Sequence, residues 1–445
     1  MAYGGGNFYS QNKKLPGFYV NFKSAPRWNA ALSDRGVVAM PMVMDWGASG
    51  VVEVTVSDFV TNGMSIFGYN YSNEKMKGVR DLFRNAQKVY FYRLNTGTAA
   101  TSTYADAKYG GTRGNDIKIV IDADVSGNTY TVQTYIAETA GGSDYVKVDE
   151  QTGIATMSAL ADNAFVVWKD AASIGETAGT KLTGGANGSE VTSSEWMTAL
   201  AALETYVFHV FACVSTDETI KALVDAWTKR MRDENGVKFQ TVFYNYLSPD
   251  YEGAISVKNT ITGNDATTFG AAAMVYWVAG ARAACPVNRS LLNAAYDGEF
   301  TVNLNYTQTQ LETAMDEGSF IFHRVGDDAR VLDDINTLVS FSADKTDDFR
   351  INQVIVVLDQ FHNDARTLWE NIYLGKVQNN EAGRSLYWKD LVKLCDSLQE
   401  LGAIENFASE SITVAAGTGK RDVVVAVALD PVAAMRTCYL TCTVY

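Results

Sequence analysis

A mixed α/β and α+β chain of several domains is predicted by three observations. Apolar strand-like runs alternate with amphipathic helical stretches over residues 31–95, and the same texture resumes after 190. Between them lies a stretch rich in Gly, Thr, Ser and Asp, built of short alternating segments. The last third carries a hairpin pattern, two long helical patterns and a return to strand. With 445 residues, division by about 150 gives three domains as a prior. The predicted division is an arm at 1–30, a discontinuous α/β core at 31–95 and 190–318, an inserted antiparallel β domain at 96–189, and a C-terminal α+β domain at 319–445. Residues 430–445 are predicted to form a second arm.

The elements follow in order. Phe18, Tyr19, Val20, Asn21 and Phe22 form a short strand between Pro16 and Pro26, after a Gly-rich start at Gly4 to Gly6 that reads as flexible. A lone strand has to find a sheet in its own chain or in a neighbour. The run 36–43 is apolar throughout and suits a strand covered on both faces. The stretch 53–60 reads as a further element. Met76, Val79, Leu82, Phe83 and Ala86 recur at helical spacing, and 88–94 is again a strand. In the insertion, 117–121 and 129–136 alternate around the turn signal Ser126-Gly127-Asn128. Helices are expected at 194–203 and 217–233, the second capped by Thr216, with strands at 207–214 and 239–245. The Ala-rich run 269–285 is short for a bilayer span of about 20 residues and reads as a buried helix. Strands at 320–325 and 329–335 flank a turn at Gly326, Asp327 and Asp328. Helices at 352–374 and 386–401 and a strand at 422–429 follow. At 437–445, Cys438, Leu440, Cys442 and Val444 share one face of a final strand.

Composition narrows the function. The chain is 47% hydrophobic and 20% charged, a globular balance. Lys and Arg number 37 against 51 Asp and Glu, a formal charge of −14. A protein held to nucleic acid by phosphate contacts carries the opposite sign, so none is expected as a direct partner. Five scattered cysteines without a secretory signal point to a reducing compartment, and no membrane anchor is expected.

The catalytic search finds little. His209, His323 and His362 lie in no zinc-type spacing, and His209, inside an apolar strand, reads as a satisfied core group. The stretch from Gly63 to Gly68 has one residue too many for a nucleophile elbow. Gly417-Thr418-Gly419-Lys420 lacks the first glycine and the Ser/Thr of a phosphate loop and reads as a turn before a strand. Asp327, Asp328, Asp333 and Asp334 lack a calcium-loop register. No catalytic, cofactor or metal residue is assigned. Arg384, Lys389 and Lys393 form a basic stripe that either is solvated or docks an acidic partner.

Several segments together resemble the contractile tail sheath proteins of bacteriophages, phage-like bacteriocins and prophage particles. They are Leu15-Pro16-Gly17 with the 18–22 strand, the run 35–41, and Gly111-Thr112-Arg113-Gly114-Asn115. Further along are Asp334-Ile335-Asn336-Thr337-Leu338, the run 373–380, and 430–435 leading into the last strand. The resemblance implies a non-enzymatic structural subunit, stacked in six-fold rings around a tail tube and contracting to drive it through a cell envelope. It implies joints by strand addition from arms carrying Phe18, Tyr19, Val20, Asn21, Phe22, Cys438, Tyr439, Leu440, Thr441, Cys442, Thr443 and Val444. Its implied partners are further copies of itself, the tube protein, and baseplate and tail-terminator proteins. It implies no cofactor, a place in a virion or phage-like particle assembled in the bacterial cytoplasm, and a tube-facing role for Arg384, Lys389 and Lys393. The alternative is an α/β hydrolase or nucleotide-binding enzyme with a β insertion.

Overall fold

A computed structural model describes residues 32–125 and 127–444, together with the backbone of 4–6 and 17–19. Val20, Asn21, Phe22 and Tyr445 lie outside the described residues.

The chain begins with β1 (Gly4–Gly6) and β2 (Gly17–Tyr19), paired in parallel. The described part of the first arm strand therefore has a partner in its own chain, the segment read from sequence as flexible. The core runs through β3 (Val37–Met42), β4 (Val51–Thr55), α1 (Val56–Phe67), α2 (Lys77–Phe83) and β5 (Lys88–Arg93). The next stretch holds β6 (Ala105–Ala107), β7 (Ile117–Ala123), β8 (Tyr130–Ala137), β9 (Tyr145–Ile154), β10 (Val166–Trp168) and β11 (Thr177–Lys181). The helix–strand alternation returns with α3 (Ser193–Leu203), β12 (Val210–Cys213), α4 (Glu218–Lys229), β13 (Gln240–Tyr244) and β14 (Ala254–Val257). A ribbon of β15 (Ile261–Thr262) with β16 (Thr301–Val302) brackets α5 (Asp265–Phe269) and the buried α6 (Met274–Ala284). Last come α7 (Gln308–Asp316), β17 (Ser319–Phe320), the hairpin β18 (Phe322–Val325) with β19 (Asp328–Val331), α8 (Asn352–Leu368), α9 (Glu381–Glu400), and the hairpin β20 (Ile412–Ala416) with β21 (Val423–Val427).

Strands from before and after the insertion share one seven-stranded sheet, ordered β17-β14-β13-β12-β3-β5-β4 and parallel except for β4. Such a sheet has to be covered on both faces, and the period-2 alternation does this. Val38, Met40, Val89 and Phe91 pack with α1, α2 and α6, whereas Ala39, Tyr90, Phe211 and Phe243 pack with α3 and α4. Residues 117–181 form a separate antiparallel sheet, β11-β7-β8-β9, over Ile117, Ile119, Ile121, Val132 and Ile136. Trp46, fully buried, reaches from the loop after β3 into that second core and stacks on Phe165.

Several elements differ from their sequence reading. Residues 56–60 are helix, because Thr55 and Asp58 form a reciprocal capping box at the end of β4. The elbow-like stretch is the end of α1, closed by Gly68 at φ 79°. Asp217, not Thr216, caps α4, accepting from the amides of Thr219 and Ile220. The strand expected from 207 starts at Val210. The strand expected to reach 335 stops at Val331, freeing Asp333 and Asp334 for polar contacts. α9 starts at Glu381, capped by Asn380. Residues 437–444 form no strand, since none of their backbone groups bonds another described residue.

Candidate assembly interface

The groups with chemical potential are tied up in structural contacts. His209 Nδ1 accepts the Val37 amide at 3.3 Å, and burial followed by Arg35 pushes its pKa down to about 3. Protonation would turn that acceptor into a donor facing another donor. Asp334 is buried and accepts from Arg282, from Ser290 Oγ and the Leu291 amide, and from Asn352 Nδ2. Asp328 pairs with Arg330 at 2.8 Å, and Asp333 pairs with Arg436 at 3.2 Å. The Gly417 to Lys420 stretch is the turn of the last hairpin, where the Gly419 amide donates to Asp422 Oδ2 at 3.1 Å. Among the described residues no group of three or more His, Cys, Asp or Glu could hold a metal ion, and no helix is long and apolar enough to cross a membrane.

The segments singled out by motif are structural staples. Arg113 is fully buried and donates to Gly68 O at 2.7 Å, to Asp116 Oδ2 at 2.7 Å and to Ala137 O, so one guanidinium joins the inserted sheet to the cap of α1. Gly114 packs against the methyls of Ala100 and Ala107, where a Cβ would come within 3.0 Å of each. Asn115 exchanges two hydrogen bonds with the backbone of Gly185, closing the insertion at its two ends. Thr337 Oγ1 donates to Tyr251 O and accepts the Tyr251 amide, and Asn336 Nδ2 donates to Phe349 O, tying the segment before the C-terminal helices to the loop that enters β14.

The surface chemistry lies at the C-terminal end. β20 and β21 pair with each other and with no other described strand, so among the described residues their outer edges carry no strand, although Ile412 O on the β20 side accepts from Trp388 Nε1 at 3.0 Å. Ile412 is buried on α9 while Val424 is 57% exposed. Asn379 Nδ2 donates to the turn of this hairpin, to Lys420 O at 3.2 Å and Asp422 O at 2.8 Å, and Arg384 Nη1 donates to Asn379 Oδ1 at 2.9 Å. In the C-terminal tail, Tyr439, Leu440 and Val444 are 95%, 87% and 89% exposed, and the thiols of Cys438 and Cys442 are free and exposed. Sequence reasoning missed β20; the alternation of Ile412 with Val414 before Gly417 was its signal.

The basic stripe is not one stripe. At about 100° per residue, Arg384 and Lys393 lie about 180° apart on α9, whereas Lys389 and Lys393 are one turn apart and exposed. Arg384 is committed to Asn379, and Lys393 sits 3.7 Å from Asp390.

Comparison with known proteins decides the family. Residues 189–337 match the phage tail sheath protein central domain, 344–445 the phage tail sheath C-terminal domain, and 35–94 the N-terminal region of domain III of tail sheath protein Gp18. The phage-like element PBSX protein XkdK of Bacillus subtilis is 31% identical, with 98% of each chain covered. The chain belongs to the phage tail sheath family. The crystal structure of a sheath tail protein from Desulfitobacterium hafniense superposes with a TM-score of 0.79 at 35% identity, covering 93% of this chain and 96% of that one. The contracted helical sheath of the anti-feeding prophage shares the fold at a TM-score of 0.55 and 12% identity, with 97% and 99% covered. This is a tail sheath structural protein, a component of a phage or phage-like particle, and it shares its fold with the sheath of an extracellular contractile injection system. The mixed α/β and α+β class expected from sequence is the class of these sheath structures.

Proposed function

We propose that the sheath chain polymerises as stacked six-fold rings around a tail tube and contracts to drive the tube through a target envelope, without catalysis. The observation that carries this reading is a hairpin whose outer edges carry no strand, together with a strand-like sequence that finds none. β20 and β21 expose outer ladder groups, and 437–444 alternates apolar and polar residues with no partner among the described residues. A strand from a neighbouring copy satisfies both, by backbone pairing that side-chain charge does not oppose. Phe18, Tyr19, Val20, Asn21 and Phe22 are proposed as the second donor strand.

In this reading the α/β core is made of 31–95 and 190–318, the inserted β domain spans 96–189, and the C-terminal domain spans 319–445, with arms at 1–30 and 430–445. Tube, baseplate and tail-terminator proteins are its partners, and assembly takes place in the host cytoplasm. Lys389 and Lys393 are the cations left to face an acidic tube. Contraction energy resides in a metastable lattice, and each backbone bond nets only about 0.5–1.5 kcal/mol, so repetition makes the joint. Negative-stain microscopy of the purified chain tests this: tubes or rings of regular pitch are expected, and discrete small particles at every concentration would overturn it.

A further inference from the structure

The last residues before the exposed tail are tied down in steps. The Glu405 amide donates to Asp430 O and the Val432 amide to Ala403 O, both at 2.9 Å. The Ala434 amide then donates to Gln353 Oε1 at 3.0 Å, on the first turn of α8, and Arg436 Nε to Asp333 Oδ2 at 3.2 Å. After Arg436 nothing holds the chain: no hydrogen bond or ion pair joins 437–444 to a described residue. Arg436 and Ala434 line the wall of a cavity of about 240 Å³ that also takes in Asp316, Asp333, Asp347 and Arg350. With Asp334 also in the wall, four carboxylates against the one guanidinium of Arg350 leave this cavity acidic, which draws the Arg436 cation to its rim. Asp333 is only 11% exposed in its side chain and its other oxygen accepts the Asp334 amide at 2.9 Å, so its position is fixed by the core.

We infer that Asp333 and Arg436 are a positioning pair that sets the direction in which the C-terminal arm leaves the subunit, with the pivot at 436–437. An arm that must meet a strand edge on a particular neighbour gains from a fixed departure angle, because fewer orientations are lost on pairing. With Arg436 released, the pivot moves back to Ala434, and two more residues, about 7 Å of chain, swing freely. The inference rests on the reading of 437–444 as a joint, but its test does not.

Nitroxide labels at Cys438 and at Lys393→Cys, in a chain carrying Cys442→Ser, report the arm's position in the monomer by pulsed dipolar spectroscopy. Cys213, Cys285 and Cys395 are buried and stay unlabelled. Asp333→Asn keeps an acceptor for the Asp334 amide, and both it and Arg436→Gln are expected to broaden the distance distribution at least twofold. Arg436→Lys is expected to restore most of the wild-type width, and Arg421→Gln, a cation elsewhere on the C-terminal hairpin, to leave it unchanged. Equal widths in wild type, Asp333→Asn and Arg436→Gln would overturn the inference, as would equal broadening by Arg421→Gln. If deleting 437–445 leaves polymerisation intact, the joint itself fails while the distance result still decides the positioning pair.

Discussion

Replacing Asp334 with Ala would strand the fully buried charge of Arg282. Arg282 is 0% exposed, and its Nη1 lies 2.9 Å and 3.2 Å from the two oxygens of Asp334. The same carboxylate satisfies Ser290 Oγ at 2.9 Å, the Leu291 amide at 2.8 Å and Asn352 Nδ2 at 3.0 Å. Breaking one partner of a buried ion pair costs about 3–5 kcal/mol, because the surviving charge has no water to return to. Against a total stability of about 5–15 kcal/mol this is a large fraction. Arg282→Met removes the charge that needs a partner and leaves Asp334 its three other donors, so it is expected to cost about 2 kcal/mol less than Asp334→Ala. Urea unfolding followed by tryptophan fluorescence reads both, since Trp277 lies on α6 with Arg282. Asp334→Ala within 1 kcal/mol of wild type, or no milder a loss for Arg282→Met, would refute the argument that this junction is held by a desolvated charge.

Four further outcomes are expected. His209 stays neutral in the folded chain down to a pKa of about 3, whereas the unfolded chain takes up its proton near the ordinary 6.5, so stability is lost as pH falls through that window. Wild type should lose about 2 kcal/mol more than His209→Asn between pH 7.5 and 5 in parallel urea titrations, and parallel curves would exclude the effect. Deleting 437–445, or Leu440→Pro, should abolish tubes seen by microscopy and leave the circular dichroism of the subunit intact. Lys389→Glu with Lys393→Glu should weaken co-sedimentation with the tube most at low salt; unchanged co-sedimentation at every salt concentration would show that this face points elsewhere. Excising 96–189 with a Gly/Ser linker should leave a folded remainder by circular dichroism, provided Trp46, otherwise bared to solvent, is replaced by Ser.

What was legible in the sequence was what periodicity controls. Val38 to Met40, Val89 to Phe91 and Phe211 announced strands covered on both faces because their apolar side chains serve both layers. Ile220, Val224, Trp227 and Met231 announced one face of α4 for the same reason. Termini of elements were less legible, because side-chain caps decide them: Thr55 with Asp58 turns a strand into a helix in one residue, and Asn380 starts α9 five residues before its apolar face appears. The motif segments were visible as patterns, but their work was not, since Arg113 and Asn379 act on backbone far away in the chain. The tail at 437–444 was read as a strand from alternation alone. Alternation specifies a strand only when a second strand is present to complete the ladder.

The grip of Asn379 on the hairpin turn has a mechanical meaning. A strand lying along β20 or β21 and pulled parallel to its axis loads its ladder in shear, so all the bonds carry the force together. Pulled across the axis, the same ladder opens one bond at a time from its end. Which case applies depends on whether the hairpin can rotate to follow the pull. Arg384 locks Asn379, and Asn379 holds the backbone of Lys420 and Asp422 at the turn of the hairpin. Tension arriving through a neighbour's arm would thus pass into α9 at its capped N-terminus instead of peeling the hairpin from its support. A few neutral hydrogen bonds made by one asparagine would then decide whether a joint of modest energy slides as a unit or comes apart like a zipper.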